Sequence, residues 1–133
     1  MNEYEKQGQD FLTKTKTTMT IKFLKHDKHF ADDKTSRDIF KVVMKRNNKQ
    51  YSFNFGQSIN ESNGIGTHKP TAYNILTCLQ KHDVGTFENF CSAYGYDTDS
   101  RKAERTYNKV VREYNELKKL YNEDELNEMT EIQ

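Results

Sequence analysis

Two hydrophobic periods divide this chain, and the change between them falls in a glycine-rich stretch. In three segments between Thr17 and Phe55, apolar residues alternate with polar ones, which is the period of a half-buried strand. Beyond Pro70 they recur every three or four residues, which is the period of a helix with one packed side. Residues 56–69 between these parts predict a linker loop. We therefore expect a single domain over residues 1–133, with a helix and a sheet in residues 1–58 and helices in residues 70–133.

The alternating part predicts a three-stranded antiparallel sheet. Its strands are residues 17–24, residues 38–46 and a third strand that starts at Tyr51, each with an apolar residue at every second position. The polar stretch His26–Arg37 predicts a loop between the first two strands. The segment Asn47–Gln50 predicts a tight turn before the third, because asparagine tolerates left-handed backbone. Short connections between consecutive strands produce a meander.

Five helical segments flank the predicted strands, which gives the class α+β. The first covers residues 3–14. The others are expected at about 70–81 with Pro70 in the first position, between a cap at Thr86 and an end at Gly95, after a cap at Asp97 or Asp99, and as a weakly docked turn or two within residues 122–133. We expect the N-terminal helix and the C-terminal helices to pack on one face of the sheet.

The longest helix carries a seam of apolar residues in steps of four and three. Its members are Ala103, Tyr107, Val110, Tyr114, Leu117 and Tyr121. Packing of this seam across the sheet is the main prediction, and a coiled-coil dimer is the alternative. The protein is accordingly expected to be a monomer or a weak dimer.

The net charge of +1 hides an uneven distribution. Residues 1–58 carry 12 Lys or Arg and 7 Asp or Glu, whereas residues 59–133 carry 9 and 13. A basic front and an acidic back indicate charged partners. No apolar run reaches the roughly 20 residues of a membrane span, and the polar start Met1–Lys6 does not resemble a signal peptide. We therefore expect a cytoplasmic protein in which Cys78 and Cys91 are reduced.

Lysine and arginine side chains cluster on the first two predicted strands and the following turn. They are Lys22, Lys25, Lys41, Lys45, Arg46 and Lys49. Neighbouring strands can bring them onto the face opposite the core, where they would contact phosphates or an acidic protein surface. The competing interpretation is that these lysines keep the exposed sheet soluble and guard its edge.

Acidic residues dominate the C-terminal end, which contains no basic residue after position 121. The candidate acidic surface consists of Glu123, Asp124, Glu125, Glu128 and Glu131. Such a surface could imitate nucleic-acid charge and occupy a basic cleft, and the competing interpretation is a solvated tail.

Catalytic and metal chemistry find little support in the sequence. Cys78 and His82 have helical i,i+4 spacing, but a cysteine among apolar residues is ordinarily a small buried hydrophobe. The segment around His26 also contains His29, Asp32 and Asp33, yet it reads as a loop without the four convergent ligands of a structural site. We therefore expect a protein that is not an enzyme, with no catalytic residue, no metal and no cofactor.

Residues 51–59 (YSFNFGQSI) and 85–107 (GTFENFCSAYGYDTDSRKAERTY) resemble a family of small phage and prophage accessory proteins of undefined function. The resemblance extends from about Phe11 to the end of the chain, although relatives often carry a longer insert after the Gly-Gln-Ser segment. It implies a cytoplasmic setting in a host bacterial cell and stoichiometric action on host machinery. Inhibitors of CRISPR nucleases are prominent among such proteins.

The leading functional hypothesis is therefore an anti-CRISPR-like antagonist that binds a bacterial immune effector, with a CRISPR nuclease complex as the implied partner. The alternative is a nucleic-acid-binding accessory protein for phage replication or regulation. Binding to free DNA or RNA would separate these two hypotheses.

Overall fold

A computed structural model describes residues 2–28, 36–59, 64–79 and 85–133. Within these ranges the helices and strands follow one another along the chain as α1 Glu3–Thr15, β1 Thr18–Lys28, β2 Ser36–Arg46, β3 Lys49–Ile59, α2 Ala72–Cys78, α3 Phe87–Tyr94, α4 Arg101–Leu120 and α5 Glu123–Thr130. The strands form one antiparallel sheet in the order β1-β2-β3. The predicted α+β class and the three-stranded meander are confirmed.

All three strands are longer than their sequence pattern predicts. His26 lies opposite Asp38 and Asp27 opposite Arg37, so the expected loop over His26–Arg37 begins and ends inside the sheet. Polar pairing across the ladder explains the extension. The His26 Nδ1 and Asp38 Oδ1 atoms are 2.9 Å apart, and Arg37 approaches Asp27 at 3.5 Å.

The β2–β3 turn is also tighter than expected. Asn47 and Asn48 both adopt positive φ, at 52° and 66°, which is the backbone of a two-residue hairpin turn. Lys49 and Gln50 therefore join the ladder opposite Arg46 and Lys45, instead of forming part of the turn. At its other end β3 continues to Ile59, so the predicted loop over residues 56–69 starts later.

The main core lies between the sheet and helices α1, α2, α4 and α5. Even-numbered β2 residues such as Val42 and Met44 are fully buried there, together with Leu76 and Leu117. Helix α1 approaches α2 closely at Gly8, where an added Cβ would lie 2.6 Å from the Tyr73 nitrogen. Gly8 is therefore needed for this contact, although glycine is a poor helix former.

The starts of two helices differ from the sequence-based expectations. Helix α2 begins after Thr71, whose side chain and Asn74 form a reciprocal capping box, so Pro70 precedes the cap. Ser100 caps α4 by accepting a hydrogen bond from the Ala103 N–H, in place of Asp97 or Asp99. The caps predicted at Thr86 and Gly95 of α3 are confirmed.

The apolar seam of α4 divides between two clusters. Leu117 and Tyr121 enter the main core, whereas Ala103 is buried with Phe90 and Cys91 in a separate cluster between α3 and α4. Packing of α4 on the sheet is thus confirmed for its C-terminal half. Helix α5 is not a weakly docked tail, since Met129 is 1% exposed in the main core.

Candidate binding surface on the open face of the sheet

The sheet face opposite the helices, here called the open face, carries four of the six predicted basic residues. On β2 these are Lys41 and Lys45, which alternate with the buried Val42 and Met44. Lys22 lies directly opposite Lys41, and Lys25 lies opposite Ile39 beyond a bulge in β1. All four lysines are exposed.

The charge on the open face is predominantly positive. Lys22 and Lys41 form a cross-strand pair of like charges, which lowers sheet stability. Among the described strand positions of this face, the only carboxylate is Asp27, and it already lies 3.5 Å from the guanidinium of Arg37. Gly56 lets the Arg37 side chain lie across β3, because an added Cβ there would meet Arg37 Cδ at 3.1 Å. The lysine charges therefore have no acidic counterpart beside them on these strands.

The open face also carries the half-buried Val43 and the buried Ile39 of β2, together with hydroxyl and amide side chains. The hydroxyl and amide groups are supplied by Thr18, Thr20, Gln50, Ser52 and Asn54, which the ladder places beside the lysines. The sheet aromatics Phe23, Phe40, Tyr51, Phe53 and Phe55 occupy the core-side positions. A surface of lysines and hydroxyls without rings suits phosphate and carboxylate oxygens rather than stacked bases.

Arg46 does not belong to the open face, which corrects its prediction as a surface residue. Its Nη1 donates to the Leu120 carbonyl and to Glu125 Oε1, both at 2.7 Å, and its Nη2 donates to Glu125 Oε2 at 2.6 Å. The guanidinium also lies 5.3 Å from the Tyr121 ring centroid. Hydrogen bonding from Arg46 lowers the pKa of Glu125, and the same contact raises the pKa of Arg46. This bidentate pair joins the end of β2 to α4 and α5.

Lys49 also lies off the open face, because its partner in the ladder is Arg46. It is exposed at the hairpin and lines a shallow cleft of about 460 Å³ together with Lys16 and Lys45. Lys16 was not predicted, since its place beside the hairpin depends on the left-handed turn that leads from α1 into β1. Lys45 connects this cleft to the open face.

The predicted acidic surface is reduced by internal ion pairs. Glu125 binds Arg46, and Glu128 accepts two hydrogen bonds from Lys14 Nζ at 2.9 and 3.0 Å. Glu123, Asp124 and Glu131 remain exposed at the ends of α5. Two of the five predicted carboxylates therefore already have a basic partner within the fold.

Of the two catalytic candidates, Cys78 and His82, the structure describes Cys78 alone. Cys78 is exposed at the end of α2, which corrects its prediction as a buried hydrophobe, and His82 lies outside the described residues. Cys91 is buried, and burial raises the pKa of its thiol. Its sulfur is 3.9 Å from the Asp97 carbonyl oxygen.

Of the predicted metal candidates, the structure describes only His26 and its neighbour Asp27. His26 faces Asp38 on the core side, while the adjacent Asp27 belongs to the open face. His29, Asp32 and Asp33 lie outside the described residues. Within the ranges that the structure describes, no three His, Cys, Asp or Glu residues are grouped as a metal site would need.

Comparisons with protein-family models, with curated proteins and with solved structures find no match to this chain. Among the described helices, none combines the length and the apolar character that crossing a membrane requires.

Proposed function

We propose that this protein acts by stoichiometric binding, with the open face as its contact surface for a polyanion. The observation that carries the proposal is the exposed pair Lys22 and Lys41, two like charges placed directly opposite each other. Such a pair opposes folding, whereas an anion bound between the two strands would neutralise both side chains. Lys25 and Lys45 extend the positive charge along the same face.

The chemistry of the face favours a phosphate backbone as the polyanion. Lysine binds phosphate as a point charge without demanding one geometry, and the neighbouring hydroxyls and amides can donate to phosphate oxygens. Because the sheet aromatics occupy core-side positions, the face offers charge and hydrogen bonds without base stacking. Binding should therefore be strongly salt-dependent and weakly dependent on base sequence.

The biological setting comes from the phage-protein resemblance of residues 51–59 and 85–107. We propose that the polyanion is nucleic acid held by a bacterial immune effector, such as a CRISPR nuclease complex, and that the bound protein blocks the effector. The alternative, a nucleic-acid-binding accessory protein of phage replication or regulation, uses the same lysines on free nucleic acid.

A triple variant tests the contact surface. Changing Lys22, Lys41 and Lys45 to Gln removes three positive charges from the open face. On duplex DNA the slope of log affinity against log salt should flatten by roughly three units, at about 0.9 per lost phosphate contact. The matched control changes three exposed lysines on other elements, Lys6, Lys69 and Lys102, to Gln. Equal salt slopes for the two triple variants would remove the open face from the binding model.

Two further measurements distinguish an antagonist of a bacterial immune effector from a nucleic-acid-binding accessory protein. Expression in cells with an active CRISPR system should relieve interference against a targeted plasmid, and the open-face triple variant should lose this effect while the control triple keeps it. Tight binding to free DNA or RNA with unchanged interference would favour the accessory protein. Unchanged interference and no nucleic-acid binding would contradict both functions.

A further inference from the structure

The two edges of the sheet differ in how they are protected against another strand. Edge strand β1 carries Lys22, Lys25 and Lys28 and contains a bulge between Phe23 and Lys25. Charged side chains and bulges are the usual protection of an exposed edge. Edge strand β3 has no charged residue from Tyr51 to Ile59 and keeps an unbroken register with β2. By these criteria, β3 is the edge that can accept a further strand.

The outer side of β3 is accessible at its start. A groove of about 630 Å³ runs between β3 and α4, and it is lined by Tyr51, Ser52 and Phe53. Consecutive strand residues point to opposite faces, so three in a row can line one groove only along the strand edge. Within the described part of the chain, the β3 backbone pairs with β2 alone. Half of its N–H and C=O groups therefore point away from the sheet.

The opposite wall of the groove has charges that would match those of a second, antiparallel copy of the same helix. It contains Lys109, Arg112, Glu113 and Glu116 of α4. These positions share one side of the helix, at i, i+3, i+4 and i+7, and they are symmetric about the midpoint between residues 112 and 113. In an antiparallel pair of identical helices, Lys109 would meet Glu116 of the other copy and Arg112 would meet Glu113.

The carboxylates of this wall lie close to the edge strand. Burial, followed by the nearby Glu113 and Glu116, raises the pKa of Tyr51 to about 12, so the Tyr51 hydroxyl stays protonated. Glu116 also accepts from Lys119 Nζ at 2.9 Å within α4. That pair is exposed, and its exchange for a contact with another copy costs little.

From these observations we propose that β3 is a dimerisation edge, and that its occupant is the β3 strand of a second copy of this chain. A two-fold axis perpendicular to the sheet pairs the two β3 strands antiparallel and creates one six-stranded sheet. The same axis sets the two α4 helices antiparallel on the core side, so that the complementary charges face each other. Both open faces lie on the same side of this sheet, where they double the number of lysines.

Charge reversal on α4 provides the test. One variant changes Lys109 and Arg112 to Glu, which makes the wall entirely acidic. The other changes Glu113 and Glu116 to Lys, which makes it entirely basic. Sedimentation equilibrium should give a concentration-dependent mass that approaches two chains for the natural protein and one chain for each variant. An equimolar mixture of the two variants should recover the two-chain mass, and high salt should weaken it.

Several results would overturn the proposal. These are a natural protein that keeps the one-chain mass up to its solubility limit, dimers of either single-sign variant, and a mixture that stays monomeric. The control, Lys102→Glu with Arg105→Glu, makes the same charge change at exposed α4 positions outside the groove and should still dimerise.

A second variant addresses the strand edge itself. If circular dichroism shows that a charge-reversed helix has not folded, Ser52→Lys adds a positive charge to the edge while leaving α4 unchanged. It should remain monomeric, and Ser92→Lys on exposed α3 serves as its control. Dimerisation of folded Ser52→Lys equal to that of the natural protein would also overturn the proposal.

Discussion

Three successive residues of β2 show how different the two faces of the sheet are. Met44 is fully buried in the main core, Lys45 is exposed on the open face, and Arg46 returns to the core side. Lys45 and Arg46 have the same charge and adjacent positions, yet Arg46 binds Glu125 through two hydrogen bonds while Lys45 faces solvent. Arg46 on the helical side therefore joins β2 to α4 and α5, whereas Lys45 remains exposed on the open face.

Side-chain direction, more than charge, therefore decides which of these two neighbouring cations forms an ion pair with the helices. Alternation along a strand sends each residue to a face, and the helices cover only one of the two faces.

The largest expected effect is on the core side. Met44→Ala should lower the free energy of unfolding by about 2–5 kcal/mol, because the buried side chain leaves a cavity in the main core. Lys45→Ala at the next position should change it by no more than about 0.5 kcal/mol. Urea unfolding of both variants measures the contrast. Similar losses for both would show that the open face is also packed.

Arg46→Met should have the next largest effect. It leaves Glu125 without its bidentate partner and the Leu120 carbonyl without its donor. Both side chains of the pair are 18% exposed, so we expect a loss of about 2–3 kcal/mol, below the value for a fully buried pair. Thermal or urea unfolding gives the number, with Lys45→Met as the control for the same substitution one residue away. A loss no larger than that of the control would show that Arg46 contributes no more to the free energy of unfolding than an exposed lysine does.

The same pair gives a smaller, pH-dependent effect. Hydrogen bonding from Arg46 holds the pKa of Glu125 below its ordinary 4.5, so folding favours the ionised carboxylate. This stabilisation is fully present above the unfolded pKa and is lost as the pH falls through the lower folded pKa. Unfolding curves from neutral to acid pH should therefore show natural protein and Glu125→Gln converging in stability toward acid pH. A difference that stays constant throughout would mean that Glu125 contributes only by its shape.

Much of this contrast could be predicted from the sequence, and the exceptions have clear physical causes. Alternation around Val42 and Met44 placed Lys41 and Lys45 correctly on the face away from the core. Arg46 lies two positions after Met44 and therefore on the same side of the strand. Its core-side position could also have been predicted from the alternation. Lys49 was predicted to lie in a four-residue turn, whereas it is the first residue of β3. The alternation of β3 assigns Lys49 to a face only when the length of the turn is known.

Other contacts depend on distances that a local pattern does not contain. The partner of Arg46 is 79 residues away in the sequence, although the capping box from Asn122 to Glu125 is a visible local motif. Lys16 joins the hairpin cleft only because α1 and β2–β3 meet in space. Strand ends at His26 and Arg37 were missed because polar residues there pair across the ladder instead of forming a loop.

The smallest expected effect separates binding from folding within the open face. Lys41→Thr removes one member of the like-charge pair with Lys22, whereas Lys45→Thr removes a lysine that lies opposite Thr18. Both changes introduce the same β-branched residue on the same strand and face. Relief of the cross-strand repulsion should stabilise Lys41→Thr by about 0.2–1 kcal/mol, while Lys45→Thr gains a Thr–Thr pair with Thr18, so the part of their difference that depends on salt measures the repulsion.

The salt dependence of this stability difference shows whether it arises from repulsion between charges. Repulsion between exposed charges is screened, so the advantage of Lys41→Thr should shrink at high ionic strength. Urea unfolding at low and high salt measures it, and polyanion affinity of the same variants should fall for both. A stabilised Lys41→Thr variant with weakened binding would mean that the charge pair costs stability and serves a partner. A stability difference between the two variants that does not change with salt would show that Lys22 and Lys41 do not repel each other, and the main support for the open face as a binding surface would be lost.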